Sequence, residues 1–491
     1  MTRRGKGLPF RLGLLLGLGL AAGLHLTGSD QAYIKPGTLQ RQGRAWVKVS
    51  ECSVPVREGG RMLLRADIGS VKVRIGTGDR LSGRVRVSAY TADENEANRF
   101  FRQHELKVRR LEGSGAFIES TLAPGRGVPA RLKVEFEFEV PLRFNLDLET
   151  QAGDLEVERL EGQLRATTAG GNIRSGDIGG PVKVETAGGA IALGNIGGRL
   201  EAQTAGGSIR VGDVKGNALL ETSGGEINAG RVDGTVTAET AGGDIVLRGA
   251  AGTLRAETAG GQIWIGASSG SISAVTAGGT IRLDGGRGTV TATTAGGSID
   301  LFRLEGSVHA ETSAGSILAE IDARRDTFGP SSLQTSMGDV QVFLPPDLPL
   351  TIDAAIEMAA GHKIESDFPL RMAGEQPGYV AQTVHGQGSL NGGGKLLRIR
   401  AVAGNIEIRK LDAASLEQLK ERQKAAWNLR DQVREQGEQT RRARDRIHAE
   451  QERARRERER TRQEMNRVRD EQRERLRRER DAVPPREHDQ D

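Results

Sequence analysis

The sequence predicts a mainly β protein: a parallel β-solenoid of 18-residue turns with β-rich caps, followed by a long charged C-terminal α-helix. Three observations predict this fold. A Thr-Ala-Gly-Gly motif recurs at a fixed spacing, each repeat alternates apolar and polar residues, and the chain becomes densely charged from Asp412 onward. A fixed period is typical of solenoids, whose units bury their apolar faces only by stacking on one another.

The motif keeps one period through ten repeats, which places the regular solenoid at residues 150–317. A degenerate copy begins at Thr335, 23 residues after the preceding threonine, and implies a five-residue insertion. A further fragment is Ala403-Gly404-Asn405-Ile406. The ten regularly spaced threonines are Thr150, Thr168, Thr186, Thr204, Thr222, Thr240, Thr258, Thr276, Thr294 and Thr312.

Each repeat contains two short strands. In the repeat that begins at Thr168, Ile173 starts one strand, and Val182 and Val184 alternate with charged residues in the other. Alternation with period 2 indicates strands with one buried face. Stacked in parallel at about 4.8 Å per strand, ten turns would form a rod roughly 48 Å long. One predicted core column is Ile173, Ile191, Ile209, Ile227, Ile245, Ile263, Ile281, Ile299 and Ile317.

The Thr-Ala-Gly-Gly motif itself is predicted to be a structural corner. Strand parity turns Thr186 inward with Val182 and Val184, so its hydroxyl is expected to hydrogen-bond the backbone of the turn. Glycine tolerates positive φ, which is the geometry we expect at Gly170 and Gly171. A phosphate-binding loop would occur once, between a strand and a helix, so ten copies between strands argue against that function.

Residues 1–29 are predicted to be a signal peptide or a membrane anchor. Four basic residues and no acid in residues 1–11 precede an uncharged run of Leu, Gly and Ala from Leu12 to Leu24. This order is the pattern of a signal peptide, and the run is short for a membrane span, which needs about 20 apolar residues. Cleavage near Ala21-Ala22-Gly23 and retention as an inner-membrane anchor by residues 12–29 both remain open. Both place the body outside the cytoplasm.

Less regular segments flank the repeats. Residues 31–149 are predicted to form an N-terminal β-rich cap, in which the alternation from Val134 to Leu148 indicates a long strand broken at Pro141. A Thr91–Glu94 capping box predicts one short helix. Residues 318–411 are predicted to form an irregular C-terminal solenoid or cap, because the open ends of a solenoid must be covered.

The C-terminal segment differs sharply in composition. Residues 441–480 hold 17 arginines and 10 acids without Gly or Pro, and pairs such as Glu452–Arg456 fall at helical i,i+4 spacing. We therefore predict a charged helix or coiled coil over residues 412–481, followed by a disordered tail at 482–491. Sustained heptads are missing, so a single helix and a weak, self-associating coiled coil both remain open.

No catalytic, cofactor-binding or metal site is predicted. The only cysteine, Cys52, is interpreted as a buried thiol, and the seven histidines show no metal-ligand spacing. His309 and Trp264 are predicted to point outward. An outward acid column is interpreted as a solvated face, because catalysis would need two acids in distinct environments. It contains Glu185, Glu221, Glu239 and Glu257.

The charge distribution excludes one class of partner. The basic start and the C-terminal segment account for the formal net charge of +5, which leaves the central body close to neutral. Nucleic-acid binding would need a basic stripe, and the body has none.

The repeat resembles the bacterial putative-adhesin family, a family of β-strand repeat domains of unknown function. The residues that carry the resemblance are Gly243-Asp244-Ile245-Val246-Leu247 and Gly252 to Thr258, with similar segments at Gly69–Val73 and Val342–Pro345. It covers roughly residues 60–410 and implies a β-repeat fold without specifying a ligand. The charged segment after Asp412 lies outside it.

Three functions remain as hypotheses. The first is an exported, non-catalytic cell-envelope structural or adhesin-like protein in the periplasm, at the cell surface or secreted. Its solenoid rod would display an interaction surface for a protein or a cell-surface glycan. The second is an envelope scaffold or regulatory protein that binds its partner through the arginine- and glutamate-rich C-terminal helix. The third is a polysaccharide-active β-helix enzyme.

Overall fold

A computed structural model describes residues 32–123, 131–373 and 383–425, with the single helical residues Asn428, Gln432, Ile447 and Met465 beyond them. The chain divides into two units, Met1–Leu411 and Asp412–Asp491. In the second unit a helix covers 413–425. The predicted signal or anchor, most of the predicted charged helix and the predicted disordered tail lie outside the described residues.

The first unit is mainly β. Its N-terminal part contains β1 (Tyr33–Lys35), β2 (Leu39–Gln42), β3 (Ala45–Pro55), β4 (Arg61–Ala66), β5 (Ser70–Ile75), β6 (Arg80–Ala89), α1 (Glu94–Gln103), β7 (His104–Leu111), β8 (Gly115–Leu122) and β9 (Leu132–Val140).

Twenty short strands follow in the regular repeat. They are β10 (Asn145–Thr150), β11 (Leu155–Val157), β12 (Leu164–Thr168), β13 (Ile173–Ser175), β14 (Val182–Thr186), β15 (Ile191–Leu193), β16 (Leu200–Thr204), β17 (Ile209–Val211), β18 (Ala218–Thr222), β19 (Ile227–Val232), β20 (Val236–Thr240), β21 (Ile245–Ala250), β22 (Leu254–Thr258), β23 (Ile263–Ile265), β24 (Ile272–Thr276), β25 (Ile281–Leu283), β26 (Val290–Thr294), β27 (Ile299–Leu304), β28 (Val308–Thr312) and β29 (Ile317–Ile321).

The C-terminal part of the first unit is again less regular. It contains β30 (Ser331–Met337), β31 (Val340–Leu344), β32 (Leu350–Ile356), β33 (Ile364–Ser366), β34 (Arg371–Ala373), β35 (Val384–Leu390), β36 (Lys395–Ala403) and β37 (Ile406–Lys410).

The repeat strands build two parallel sheets. Even-numbered strands from β10 to β28 pair with one another in one sheet, and odd-numbered strands from β11 to β29 pair in the other. Residues 18 apart face each other, as Thr186 faces Thr204 and Ile191 faces Ile209. The Ile column is buried throughout. The predicted solenoid turn and its inward face are therefore confirmed.

The stack extends beyond the regular repeat at its N-terminal end. Strands β4 and β5 pair in parallel with β10 and β11, and on their other side with β8 and β9. The layer formed by β4 and β5 is thus enclosed between the β8/β9 layer and the β10/β11 layer, both of which come later in the sequence. Antiparallel strands β6, β3, β1 and β2 continue one sheet outward, and β7 continues the other.

The C-terminal end repeats this arrangement. After the insertion, β30 faces β28 with Thr335 opposite Thr312, as the 23-residue offset predicts. The last strands in sequence, β36 and β37, lie between β30/β31 and the layer formed by β32 and β33. The Ala403–Ile406 fragment therefore belongs to a true turn. Within the described residues the stack has fifteen layers, roughly 70 Å at about 4.8 Å per layer, which is longer than the ten repeats alone imply.

The N-terminal part differs from the prediction in two details, the sheet arrangement of one strand and the N-cap of the helix. The alternation from Val134 to Leu148 is broken at Pro141 as expected, and its halves, β9 and β10, belong to different sheets. The short helix forms, with Asp93 as its N-cap: the Asp93 Oδ1 accepts a hydrogen bond from the Asn95 amide at 2.9 Å. Thr91 instead bonds the Glu96 carboxylate, so the predicted Thr91–Glu94 box is wrong. An aspartate two residues nearer the helix reaches its free amides directly.

The corner threonines are buried, with 2–7% of their surface exposed. The Thr240 hydroxyl donates to the Gly225 carbonyl of the preceding turn at 2.9 Å and accepts from the Gly243 amide at 3.3 Å. The same pair of bonds recurs from Thr168 to Thr294. Each hydroxyl thus ties two successive turns together, and the prediction of a structural corner is confirmed.

The corner contains glycine because a side chain would not fit there, and not because the backbone needs a positive φ. Positive φ was expected at Gly170 and Gly171, and this expectation is wrong: neither of them, nor the equivalent Gly242 and Gly243, lies in the left-handed region. A Cβ on Gly243 would lie 2.0 Å from the Gly225 carbonyl oxygen one turn below, whereas one on Gly242 would meet nothing closer than 3.7 Å. The second glycine of the motif is required because the turns stack with no room for a methyl group.

Candidate functional site

A groove of about 1380 Å³ runs along the threonine corner of the solenoid. It passes ten successive turns, from Glu149 to Ser313. Nine of the ten turns contribute the same three positions: the residue before the corner threonine, the threonine, and the residue after it. The last turn contributes Glu311 and Ser313. The parallel register brings these positions into columns, so a local three-residue pattern becomes a continuous surface about 43 Å long at about 4.8 Å per turn.

The floor of the groove is largely apolar. The residue after the threonine is alanine in seven of the ten turns, and each of these alanines is exposed. Beside them lie the buried threonines, whose hydroxyls are occupied by the corner bonds. The floor therefore offers a stripe of methyl groups. Its alanines are Ala169, Ala187, Ala205, Ala241, Ala259, Ala277 and Ala295.

The wall of the groove is acidic. Six of the ten positions before the threonine are glutamates, and the described lining contains no Lys, Arg or His. The outward orientation predicted for the acid column is confirmed, because these side chains are exposed or half-exposed. The sequence identified the column and interpreted it as a plain solvated face. It did not indicate the groove, which arises because the small alanines lie beside the glutamates at a corner. The six are Glu149, Glu185, Glu221, Glu239, Glu257 and Glu311.

The glutamates are neutralised to different degrees. Arg65 pairs with Glu149 at 2.9 Å, and Arg255 pairs with Glu239 at 3.4 Å and with Glu257 at 2.6 Å. The Gln203 amide donates to Glu221 at 2.6 Å without supplying charge. Glu185 and Glu311 form no ion pair with any residue in the described ranges.

The C-terminal end of the groove meets a smaller cavity of about 330 Å³ with mixed charge, which Glu311 shares. Arg398 and Arg400 line it, and both pair with Asp353, at 3.7 Å and 2.5 Å respectively. Partial burial alone would raise the pKa of Asp353, but these arginines and a hydrogen bond from Gln387 hold it below its usual range. The acidic surface thus ends at an internally paired cluster.

A second outward cluster lies on the other sheet. Trp264 points outward as predicted, and the Arg282 guanidinium stacks over its ring at 5.5 Å and over Phe302 at 4.7 Å. Arg282 is only 4% exposed and approaches Asp284 at 3.5 Å. The alternation of apolar and polar residues did not reveal this cluster. It predicts whether a side chain points inward or outward, but not whether neighbouring side chains cover it. A guanidinium covered in this way stabilises the sheet face and leaves little room for a ligand.

The remaining residues singled out by the sequence, His309 and Cys52, do not line the groove. His309 is exposed and its Nδ1 lies 3.0 Å from the Ser332 hydroxyl. Cys52 is buried, and burial raises the pKa of its thiol to about 12, which keeps it protonated and unreactive. His104 was not singled out. Burial, together with Lys48, lowers the pKa of its imidazole to about 4, and its Nε2 lies 2.8 Å from the Ser120 hydroxyl.

No group of three or more His, Cys, Asp or Glu side chains within residues 32–123, 131–373 and 383–425 is arranged to hold a metal ion. No helix in that same part of the chain is both long and apolar enough to cross a membrane.

Comparisons with known proteins give distant structural neighbours, among them two bacterial proteins. No family model and no curated protein matches the sequence. A putative cell adhesion protein from Clostridium sporogenes is 10% identical, with a TM-score of 0.14 over 73% of this chain and 98% of its own. A putative adhesin from Bacteroides fragilis is 9% identical, with a TM-score of 0.15 over 74% of this chain and 97% of its own.

These neighbours are named for the same kind of protein that the repeat sequence resembles. Their identities and TM-scores are too low for the likeness to support an argument about function.

Proposed function

We propose that this protein is a non-catalytic scaffold outside the cytoplasm that displays a long binding groove on a β-solenoid rod. The observation that supports it is the groove itself: ten turns in register repeat one small set of side chains over about 43 Å. A repeated surface of this kind suits binding of an elongated partner. Catalysis instead needs a few groups gathered around one reacting centre, whereas the groove glutamates are spread along the length of the stack.

The location outside the cytoplasm rests on the sequence of residues 1–29, with its basic start and short apolar run. Whether these residues are removed or remain as an inner-membrane anchor belongs to the same proposal. The alternative scaffold function, through the charged segment after Asp412, rests on residues that lie mostly outside the described ranges.

Fractionation of the native host tests this proposal. We expect the protein in the periplasmic, surface or secreted fraction. Replacing Leu14, Leu15 and Leu16 by Asp should retain it in the cytosol, because charges in the apolar run prevent export. The control substitutes Leu63, Leu81 and Leu106 by Met, which leaves the N-terminal run intact. Wild-type protein found only in the cytosol would contradict the proposal.

A further inference from the structure

We propose that the groove binds an extended, Lys- and Arg-rich peptide segment of a partner protein. This inference rests on the proposed scaffold function and names the chemical class of its partner. Three properties of the groove support it: the sign of its charge, the pairing of an apolar floor with an acidic wall, and its width.

The charge of the lining favours a cation. Its ionisable side chains are six glutamates, of which Glu185, Glu221 and Glu311 have no basic partner in the described part of the chain. Successive turns place like charges about 4.8 Å apart, as at Glu221 and Glu239. Carboxylates repeated along a concave surface produce a negative potential that attracts cations over several ångströms.

The alanine floor favours Lys and Arg among cations. These side chains combine a long aliphatic stem with a charged end, and the stem gains free energy when it lies on apolar surface. At Ala187 and Ala205, for example, exposed methyl groups lie directly beside Glu185 and Gln203. A stem can cover the methyl stripe while its charged end reaches the glutamate column. A compact inorganic cation would leave the stripe exposed.

The width of the groove favours an extended chain. The acidic column and the alanine column are two residues apart in sequence, as Glu185 and Ala187 are, which corresponds to no more than about 7 Å in extended backbone. An α-helix with side chains is about 10–12 Å across, wider than the separation of these two columns, whereas a single extended strand matches it. About 13 residues at about 3.3 Å each would fill the length.

Recognition should depend on charge and not on sequence. The side chains of an extended peptide that share one face repeat about every 6.7 Å, whereas the groove repeats about every 4.8 Å, so the two do not stay in register. No single glutamate is therefore matched to one peptide residue. We expect affinity to rise with peptide length up to about 13 residues and then to level off.

Fluorescence anisotropy with the full-length protein tests this proposal. The probe is a 13-residue peptide in which Lys and Arg alternate with Gly and Ser, in low-salt buffer. The variant Glu185→Gln/Glu221→Gln/Glu311→Gln should bind it about tenfold more weakly, because it removes the three carboxylates that have no basic partner in the described residues and so weakens the attraction along the groove. Ala187→Lys/Ala241→Lys should abolish binding by repelling the peptide and covering the floor. Both variants alter exposed or half-exposed side chains, and circular dichroism would confirm that they fold.

The matched control removes the same charge elsewhere. Glu158→Gln/Asp233→Asn/Asp326→Asn changes three exposed acids outside the groove and should leave the affinity unchanged. Equal weakening by both triple variants, or no weakening by the groove variant, would overturn the proposal. Equal competition by Mg²⁺ at the same charge concentration, or preferential binding of an acidic peptide or a neutral oligosaccharide to the groove, would overturn it as well.

The test is separable from that of the scaffold function. Exported protein that fails to bind the cationic peptide would refute the partner class alone. Cytosolic protein that binds it through the groove would refute the location and leave the groove assignment intact.

Discussion

Replacing Gly243 by alanine should lower the stability of the solenoid by about 3 kcal/mol, at the upper end of the range for overpacked interiors. The new Cβ would lie 2.0 Å from the Gly225 oxygen and 2.4 Å from its carbonyl carbon, both backbone atoms of the turn below. Because neither turn can shift without breaking the Thr240 bonds at the same corner, the clash cannot be relieved locally.

Gly242→Ala is the matched control, one residue away in the same corner. Its Cβ would be 3.7 Å from the nearest atom, an ordinary contact, and its φ is open to alanine. We expect no loss, and a small gain of about 0.4–1 kcal/mol is consistent with a less flexible unfolded chain. Thermal unfolding and amide exchange in β19–β23 would compare the two. Equal melting temperatures would show that the turns are not stacked as described.

Replacing Ile399 by alanine should cost about 3 kcal/mol, in the range measured for large-to-small changes in protein cores. Ile399 lies in β36, faces Leu333 of β30 on one side and Ala354 of β32 on the other, and is fully buried. The loss of stability shows whether β36 lies inside the stack or at its end. A strand at the end could relax around the cavity left by the substitution, and the loss would then be smaller.

The control for Ile399 is its neighbour Arg398. That side chain is half-exposed and its ion pair with Asp353 spans 3.7 Å, so Arg398→Ala should change stability by no more than about 1 kcal/mol. Denaturant unfolding of both variants gives the comparison. If Ile399→Ala costs no more than Arg398→Ala, β36 does not lie between two layers.

The sequence predicted those parts of the fold that a single repeat determines. The 18-residue period places Thr186 opposite Thr204, and alternation places Val182 and Val184 inside, because both follow from covalent spacing. The order of the end layers was not predicted. Strands β4/β5 and β36/β37 pair with partners far away in sequence, and alternation does not specify which partner a strand selects.

The groove also combines a feature that one repeat determines with a feature that depends on packing. Alternation showed that Glu221 and Glu239 point outward and repeat in register. It could not show that the exposed alanines beside them leave a concave surface, since concavity depends on how the corner turns. Likewise, the sequence attributed the corner glycines to backbone flexibility, and only the packing of Gly243 on Gly225 shows that the constraint is steric.

The most direct test of the solenoid is a distance between spin labels on the exposed alanine column. The pairs Ala169→Cys/Ala259→Cys and Ala169→Cys/Ala295→Cys are five and seven turns apart, and Cys52 should stay unlabelled because it is buried and its pKa is raised. At about 4.8 Å per turn the label sites should be about 24 Å and about 34 Å apart. Distances that do not increase by about 10 Å between the two pairs would contradict the parallel 18-residue stack, and with it the groove.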